Sequence, residues 1–411
     1  MIRQDYNPAR PMVMHVDLNS CFATIEQQSR PRLRGRPIAI GNRRMENAAI
    51  VTASYEAKSR GVKVGMRFQE AKRLVPELLM IETDPAKYKY VYHQLKQIME
   101  QYSSRVLMKS IDEGVIDFSG STEEMLGRGL EAIGHDIKRQ LRHRVGPWMS
   151  CNVGIGPNRF LAKMAAGLNK PDGLDVIDST NLRATLSKLK LTDLTGIAAA
   201  NSRRLMSVGI NTPLQFLDAD IVTLEKMVFR SVNGRDWHQR LRGWEVDDVT
   251  TTKRQIGRQY VLEKPGLPRN LIMERLHNLG DSVGSRLRGS GYQARGVYVY
   301  ARLNGGAYWH ASRLSAQPFT SSQEIHRRVE AMFHQAPDGI REIGVHCYKL
   351  SRGDAHQLDL FQTSADHDTK LSGIVDTINN VYGDRVIHTA DTLSTDQYVK
   401  SKIPFGSTDF I

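Results

Sequence analysis

The chain has 411 residues, 40% hydrophobic and 25% charged, with 33 glycines, which excludes collagen-like, coiled-coil and largely disordered classes. Its 57 Lys and Arg against 44 Asp and Glu give a formal net charge of +13, which favours a polyanionic partner, nucleic acid or an acidic membrane surface. The three cysteines, Cys21, Cys151 and Cys347, are too widely spaced for a CxxC metal site and odd in number for a disulfide framework. No apolar run reaches the roughly 20 residues needed to cross a bilayer, and the N-terminus lacks the apolar core of a secretory signal. The expectation is a cytoplasmic protein of roughly two to four domains.

Residues 12–17, Met-Val-Met-His-Val-Asp, predict a buried strand ending in a carboxylate, with Ser20 placed to cap a short helix over Cys21 to Glu26. Further strands are expected at 37–40 and 48–53, and helices at about 67–74, 85–103 and 122–143. Between the last two helices, the apolar alternation of Ser110 to Phe118 fits a strand with its carboxylates on the exposed face. A strand over Ser150 to Gly156 precedes a helix that Asn158 can cap and that runs to Asn169. Strands and helices thus interleave to about residue 178.

Residues 180–243 predict only short helices broken by Gly and Pro, and 242–258 an exposed connector. Strand patterns return at 256–262, 293–303, 308–315 and 340–350, with helical patterns at 268–289 and 321–334, an order that suits a β-α-β-β-α-β unit. From Arg254 to Arg352 there are 15 basic and 7 acidic residues, whereas Gln362 to Ile411 has 4 basic and 7 acidic. The first segment is the candidate polyanion grip. In the acidic tail, Leu371 to Tyr382 has helical periodicity and Val386 to His388 is strand-like. The 13 histidines form no HxxxH pattern or Cys/His cluster, so no zinc is expected.

If their strands are neighbours, Asp17, Asp112 and Glu113 bring three carboxylates together. Hard divalent ions take oxygen ligands, and two of them can clamp the attacking and departing oxygens of a phosphoryl transfer. The alternative is that these are solvated strand ends.

Four motifs occur together: Asp17-Leu18-Asn19-Ser20-Cys21-Phe22; Tyr55-Glu56-Ala57-Lys58 followed by Gly61-Val62; Ser110-Ile111-Asp112-Glu113; and Phe160-Leu161-Ala162-Lys163 followed by Asn169-Lys170-Pro171-Asp172-Gly173. In order and spacing they resemble the Y-family translesion DNA polymerases over roughly residues 12 to 361, with the bacterial polymerase IV and polymerase V catalytic-subunit types most alike. The resemblance implies an α+β multidomain, right-hand-like polymerase: palm and fingers over 1–178 (fingers about 27–85), a helix-hairpin-helix thumb over 179–243, a linker over 244–253, a β-α-β-β-α-β little finger over 254–352, and a tail over 353–411. It implies low-fidelity, template-directed synthesis past lesions, without proofreading.

By that resemblance Asp17, Asp112, Glu113 and the backbone carbonyl of Leu18 hold two Mg²⁺ ions, and Thr52, Tyr55, Lys58 and Lys163 hold the triphosphate of the incoming deoxynucleotide. Phe22, five residues after Asp17, matches the steric gate that excludes a 2′-hydroxyl. Two positions depart from the polymerase IV pattern. Lys58 stands where many members have Arg, and Asn19 where polymerase IV types have Asp; both agree with the polymerase V type. Residues 192–217 resemble the helix-hairpin-helix, whose turn at Gly196 offers backbone N–H groups to a phosphate, with Ala198 in place of the usual second Gly.

Arg258, Arg286, Arg288 and Arg313 are expected to meet primer-template DNA through the basic little finger. Gln357, Leu358, Leu360 and Phe361 are similar to the peptide that docks bacterial polymerases on the sliding clamp, with accessory subunits or a recombinase filament as further candidate partners and no membrane. A non-catalytic scaffold of the same family and a helix-hairpin-helix nuclease are the competing readings. The first has no need of all three carboxylates. The second has no use for Phe22 or for the Tyr55 to Lys58 element.

Overall fold

The computed structural model of the chain describes residues 6–42, 46–249, 252–264, 266–352, 364–383, 385–395 and 399, with side chains of 364–367 left out of account. The fold divides into two compact units, one ending at Val249 and one within 252–399.

The first unit opens with β1 (Val13–Leu18) and α1 (Cys21–Ser29), then β2 (Ile38–Gly41), β3 (Thr52–Ala53), α2 (Tyr55–Lys58), α3 (Phe68–Leu74), β4 (Leu79–Glu82) and α4 (Pro85–Met99). It continues with β5 (Val106–Met108), β6 (Glu113–Asp117), α5 (Glu123–Gly127), α6 (Leu130–Arg144), β7 (Cys151–Gly156), α7 (Arg159–Leu168) and β8 (Leu174–Val176). The main sheet has the order β5-β6-β1-β7-β8, with β1 antiparallel to both neighbours. A central strand covered on both faces needs apolar residues on both, which explains the near-continuous apolar run of β1.

Met14 and Val16 face the core shared with α4 and α6, while Val13 packs with Val115 and Ala162 of α7. On that second face the helix backbone lies directly on the sheet. A Cβ on Gly154 would stand 2.1 Å from both the Ala162 carbonyl oxygen and the Ala166 amide nitrogen. This close approach brings the side chains of α7 within reach of the carboxylates of β1 and β6.

β3, β2 and β4 form a second sheet, covered by α2 and α3 around Ala53, Ala57, Phe68 and Ala71. After β8 come α8 (Leu182–Leu186), α9 (Ala199–Met206), α10 (Pro213–Asp218) and α11 (Asn233–Leu241), with a π-helical turn at Thr223–Val228. No strand lies between 182 and 249, and these helices gather around Phe216 and Trp237.

Several local expectations shift. The strand expected over 48–53 is reduced to β3, with only an isolated bridge from Ala49 to Arg67 before it. The helix expected over 122–143 breaks into α5 and α6 at Gly129, which has φ +79°. Ser20 does not cap α1 through its side chain. It adopts a left-handed conformation and its hydroxyl accepts from Lys58 Nζ at 2.7 Å instead. Asn158 does cap α7, accepting from the Leu161 amide at 2.8 Å.

The second unit runs β9 (Gln255–Val261), α12 (Arg269–Gly289), β10 (Tyr292–Leu303), β11 (Tyr308–Phe319), α13 (Ser322–Phe333), β12 (Ile340–Arg352) and α14 (Ser364–Tyr382). The element order is the expected β-α-β-β-α-β one, and the strands form an antiparallel sheet of order β11-β10-β12-β9. Val297, Val299, Val345 and Cys347 are buried on one side of it. On the other side Tyr300 lies over Gly344, His346 over Gly257 and Tyr348 over Gly296, each within 2.4 Å of where a Cβ would stand.

Part of the tail packs onto α12. Asn278 Nδ2 donates to Thr395 Oγ1 at 2.7 Å, and Arg288 Nε to Asp376 Oδ2 at 2.6 Å. Val386 to His388 form no strand; their neighbours fold back through Asn379, whose Nδ2 donates to the Ile387 carbonyl. The packing gathers His277, His326 and Asp391, a grouping that no sequence spacing signals. The two imidazoles stack at 4.5 Å with 17° between planes. Their lone pairs therefore lie in nearly parallel planes, and one ion cannot lie in both. His277 meets Asp391 through Nδ1 and Glu330 through Nε2, and His326 Nε2 meets Asp281 and the His277 carbonyl.

Candidate active site

The register of the main sheet sets the site. Asp17, at the end of β1, lies opposite Glu113 on β6 and Asn152 on β7. Asp112 is not inside the strand but one residue before it, where its carbonyl accepts from the Leu18 amide at 2.9 Å. Asp17, Leu18, Asp112 and Glu113 are thereby brought to one sheet end.

The two lysines nearest these carboxylates answer their charge. Lys163 Nζ, reaching over from α7, lies 2.8 and 2.7 Å from the Glu113 oxygens. Buried His15, two residues before Asp17 on the same face of β1, lies 3.1 Å from Glu113 Oε2. Burial alone raises the Glu113 carboxyl, but the bonds from His15 and Lys163 outweigh it and hold the group at about 2. Asp112 moves the other way. Burial pushes it up, a hydrogen bond from Ser110 opposes this, and the charges of Asp17 and Glu113 add to the rise. A carboxylate crowded by two others is what a divalent cation relieves, and the donor set is all oxygen, so these residues fit a hard cation.

Lys170, in the loop after α7, lies 2.7 Å from Asp17 Oδ2. Lys170 belongs to the fourth motif but is not among the residues that the resemblance assigns to the triphosphate. On α2, Lys58 sits 5.1 Å from the centre of the Tyr55 ring, and its ammonium is pushed down by burial and by the charge of Lys170. Asp17 offsets part of this effect at Lys58, and a further anion beside the ammonium would relieve the rest. Thr52, at the start of β3, is half-buried opposite Ile40.

Phe22, the second residue of α1, is 3% exposed and stacks on Tyr88 of α4 at 4.5 Å and 23°. Tyr88 in turn donates to buried Glu26 at 3.2 Å, one helical turn beyond Phe22. Neither Tyr88 nor Glu26 was singled out from the sequence.

Gly196 precedes α9 with φ +92°, and its carbonyl accepts from Asn201 Nδ2 at 3.2 Å. Three of the four arginines expected to meet DNA bond to the protein itself. Arg258 donates to Ser282, Arg286 to the Gly257 carbonyl at 3.0 Å, and Arg288 to Asp376 and the Thr320 carbonyl. Arg313 is exposed, but it pairs in register with buried Val297, which puts it on the helix-covered side of the edge strand β11. Gln357, Leu358, Leu360 and Phe361 lie outside the described residues.

The chain matches the model of the impB/mucB/samB family over residues 16–167 and that of its C-terminal domain over 253–360. It is 31% identical to DNA polymerase IV of Pelotomaculum thermopropionicum over 394 residues, which cover 93% of this chain and 95% of the relative. It is also 31% identical to DNA polymerase IV of Moorella thermoacetica, covering 93% and 96%, and 27% identical to DNA polymerase IV 1 of Bacillus subtilis, covering 94% of each. Among solved structures, a Y-family DNA polymerase chimera of Dbh and Dpo4 superposes with a TM-score of 0.70 at 22% identity, covering 83% of this chain and all of that one. An insertion ternary complex of Dbh DNA polymerase gives 0.59 at 22% identity, covering 82% and 98%. No helix among the described residues is long and apolar enough to cross a membrane. The chain belongs to the impB/mucB/samB family and is a Y-family polymerase of the DNA polymerase IV type.

Proposed function

We propose that this chain is a template-directed DNA polymerase that extends a primer 3′-hydroxyl with deoxynucleotides, at low fidelity and past template lesions, and has no proofreading site of its own. The observation that carries the reading is the convergence of Asp17, Asp112 and Glu113 at one sheet end, with Lys58, Lys163 and Lys170 beside them.

Asp17, Asp112, Glu113 and the Leu18 carbonyl would hold two Mg²⁺ ions. When bound, such ions lower the pKa of the primer hydroxyl and neutralise charge on the triphosphate. Lys163 and Lys170 balance the carboxylates in the ligand-free protein, and the same ammonium groups are placed to turn toward phosphate oxygens once that charge is balanced otherwise. Lys58 and Tyr55 approach the triphosphate from α2, and Thr52 from β3. The Phe22 ring, backed by Tyr88, takes the position under the sugar, where a 2′-hydroxyl finds no room.

In domain terms, the main sheet is the palm, β2 to β4 with α2 and α3 are the fingers, the helices over 179–243 are the thumb and the second unit is the little finger. The turn at Gly196 offers amides to a phosphate. The inward engagement of Arg258, Arg286 and Arg288 supports a little finger that meets DNA through its open sheet face and backbone rather than through these three charges. Gln357, Leu358, Leu360 and Phe361 directly follow the last strand and suit an apolar groove on the sliding clamp. A cytoplasmic place of action is consistent with all of this. Primer extension with Mg²⁺ on matched undamaged and lesion-bearing templates tests the proposal: extension past the lesion supports it, and intact DNA binding with no extension of either template counts against it.

A further inference from the structure

Asn19 is 2% exposed, and both ends of its side-chain amide are occupied. Its Oδ1 accepts from the Asp172 backbone amide at 2.9 Å. Its Nδ2 donates to Asn152 Oδ1 at 2.7 Å and to the Tyr55 hydroxyl at 3.3 Å. The main chain at this residue is also fixed, its amide donating to the Ser150 carbonyl and its carbonyl accepting from Thr24 Oγ1. A primary amide offers two donors and one acceptor oxygen, so this pattern leaves the group one orientation.

The partners at the two ends belong to different parts of the fold. Asp172 ends the turn that carries Lys170, and it is held from behind by Lys138 and Arg142 of α6. Tyr55 opens α2, whose last residue is Lys58. The charge of Lys170 is one cause of the lowered pKa of the Lys58 ammonium, after burial. The two lysines reach the site from separate segments of the chain, and Asn19 touches both segments.

We propose that Asn19 is a positioning residue that couples the two flanks of the nucleotide site, so that Lys58 with Tyr55 on one side and Lys170 on the other meet the incoming triphosphate in a fixed relative position. The inference rests on the assignment of these residues to the nucleotide site. In this chain the contacts use both the donor and the acceptor of an amide. An aspartate could still accept from Asp172 and, with the phenol turned to donate, from Tyr55, but it has no N–H for Asn152, and its second oxygen would face Asn152 Oδ1. Asn152 could relieve this only by rotating its own amide, which would withdraw Nδ2 from the Ala166 carbonyl, now bonded at 2.8 Å in a fully buried position. Either outcome moves one flank against the other.

The test is single-nucleotide insertion on undamaged primer-template, reading the KM for dNTP, kcat and the DNA dissociation constant for the native chain, Asn19→Asp, Tyr55→Phe and Lys170→Ala. The proposal expects Asn19→Asp to raise the KM about tenfold or more, with kcat and DNA affinity little changed. Tyr55→Phe, which deletes one hydroxyl and leaves the buried network in place, should raise the KM by a few-fold. If Asn19→Asp does not fold, Asn19→Ser, whose shorter neutral side chain cannot reach Asp172 and Asn152 together, takes its place with the same readout.

Unchanged KM in both variants while Lys170→Ala raises it would overturn the coupling and leave the nucleotide site standing. Unchanged KM in all three would overturn the site assignment and the coupling with it. A fall in DNA affinity matching the rise in KM would make Asn19 merely structural and overturn the proposal.

Discussion

Lys170 Nζ and Asp17 Oδ2, 153 positions apart in sequence, lie 2.7 Å apart at the end of the main sheet. The pair is partly exposed on both sides, so its contribution to folding is small. On the proposed function its role lies in the site, where it keeps a positive charge beside the carboxylates. Lys170→Ala should therefore leave thermal stability nearly unchanged while raising the KM for dNTP about ten- to a hundredfold. A melting curve and a nucleotide titration on one preparation check both halves. A large loss of stability with unchanged KM would show the pair to be structural.

Asp112 is the most crowded of the three carboxylates, and its raised pKa reports burial first and the neighbouring charges after it. Asp112→Asn keeps the size and removes the charge. Insertion should fall by about a thousandfold or more while DNA affinity is retained or improved, since a charge that repels phosphate is gone. Titration of labelled primer-template beside the insertion assay separates the two effects.

Phe22→Ala should open the space under the sugar. The ratio of deoxynucleotide to ribonucleotide insertion should fall by about two orders of magnitude or more, because exclusion by shape ends with the shape. Competition between the two sugars on one template measures it, and an unchanged ratio removes Phe22 from this role.

Gly154→Ala should destabilise the first unit by about 3 kcal/mol or more. The added methyl meets backbone atoms of α7 at 2.1 Å, which cannot rotate away as a side chain could. Urea unfolding monitored by the fluorescence of Trp237 and its neighbours would show the loss. Lys163 rides on that helix, so activity should fall beyond what the unfolded fraction explains.

His238 is buried in α11, and burial with the nearby Arg242 charge lowers its pKa to about 4. The folded pKa lies below the unfolded value near 6.5, so below about pH 6.5 the unfolded chain binds the extra proton and stability falls as pH drops toward 4. His238→Gln lacks this term. Comparing unfolding free energies from urea titrations at pH 7 and pH 4.5, the native chain should lose more than the variant, by about 1 kcal/mol.

The apolar run ending in Asp17 is legible because a central strand covered on both faces requires it, and the little-finger order is legible because β and α periodicities differ. The motif spacings carried Asp112, Glu113, Tyr55 and Lys58 to one place. What stayed hidden was direction. The arginines of α12 and β9 contribute to a basic segment, but a charge count does not say which face they take, and Asp376, Ser282 and the Gly257 carbonyl claim three of them. Ser20 has the composition of a helix cap, yet its backbone adopts φ 44°, and Lys58 competes for its hydroxyl. Lys170, His15, Asn19 and Tyr88 act through contacts across dozens of residues. The motifs around Asn19 and Lys170 gave local signals that could have marked these two, whereas His15 and Tyr88 had none.

The account stands most directly on primer extension with Mg²⁺ across a lesion-bearing template, comparing the native chain with Asp112→Asn at equal DNA occupancy. Addition of nucleotides opposite and beyond the lesion by the native chain, with none by the variant, is the predicted result. Equal extension by both, or none by either when the sliding clamp is also supplied, would contradict it.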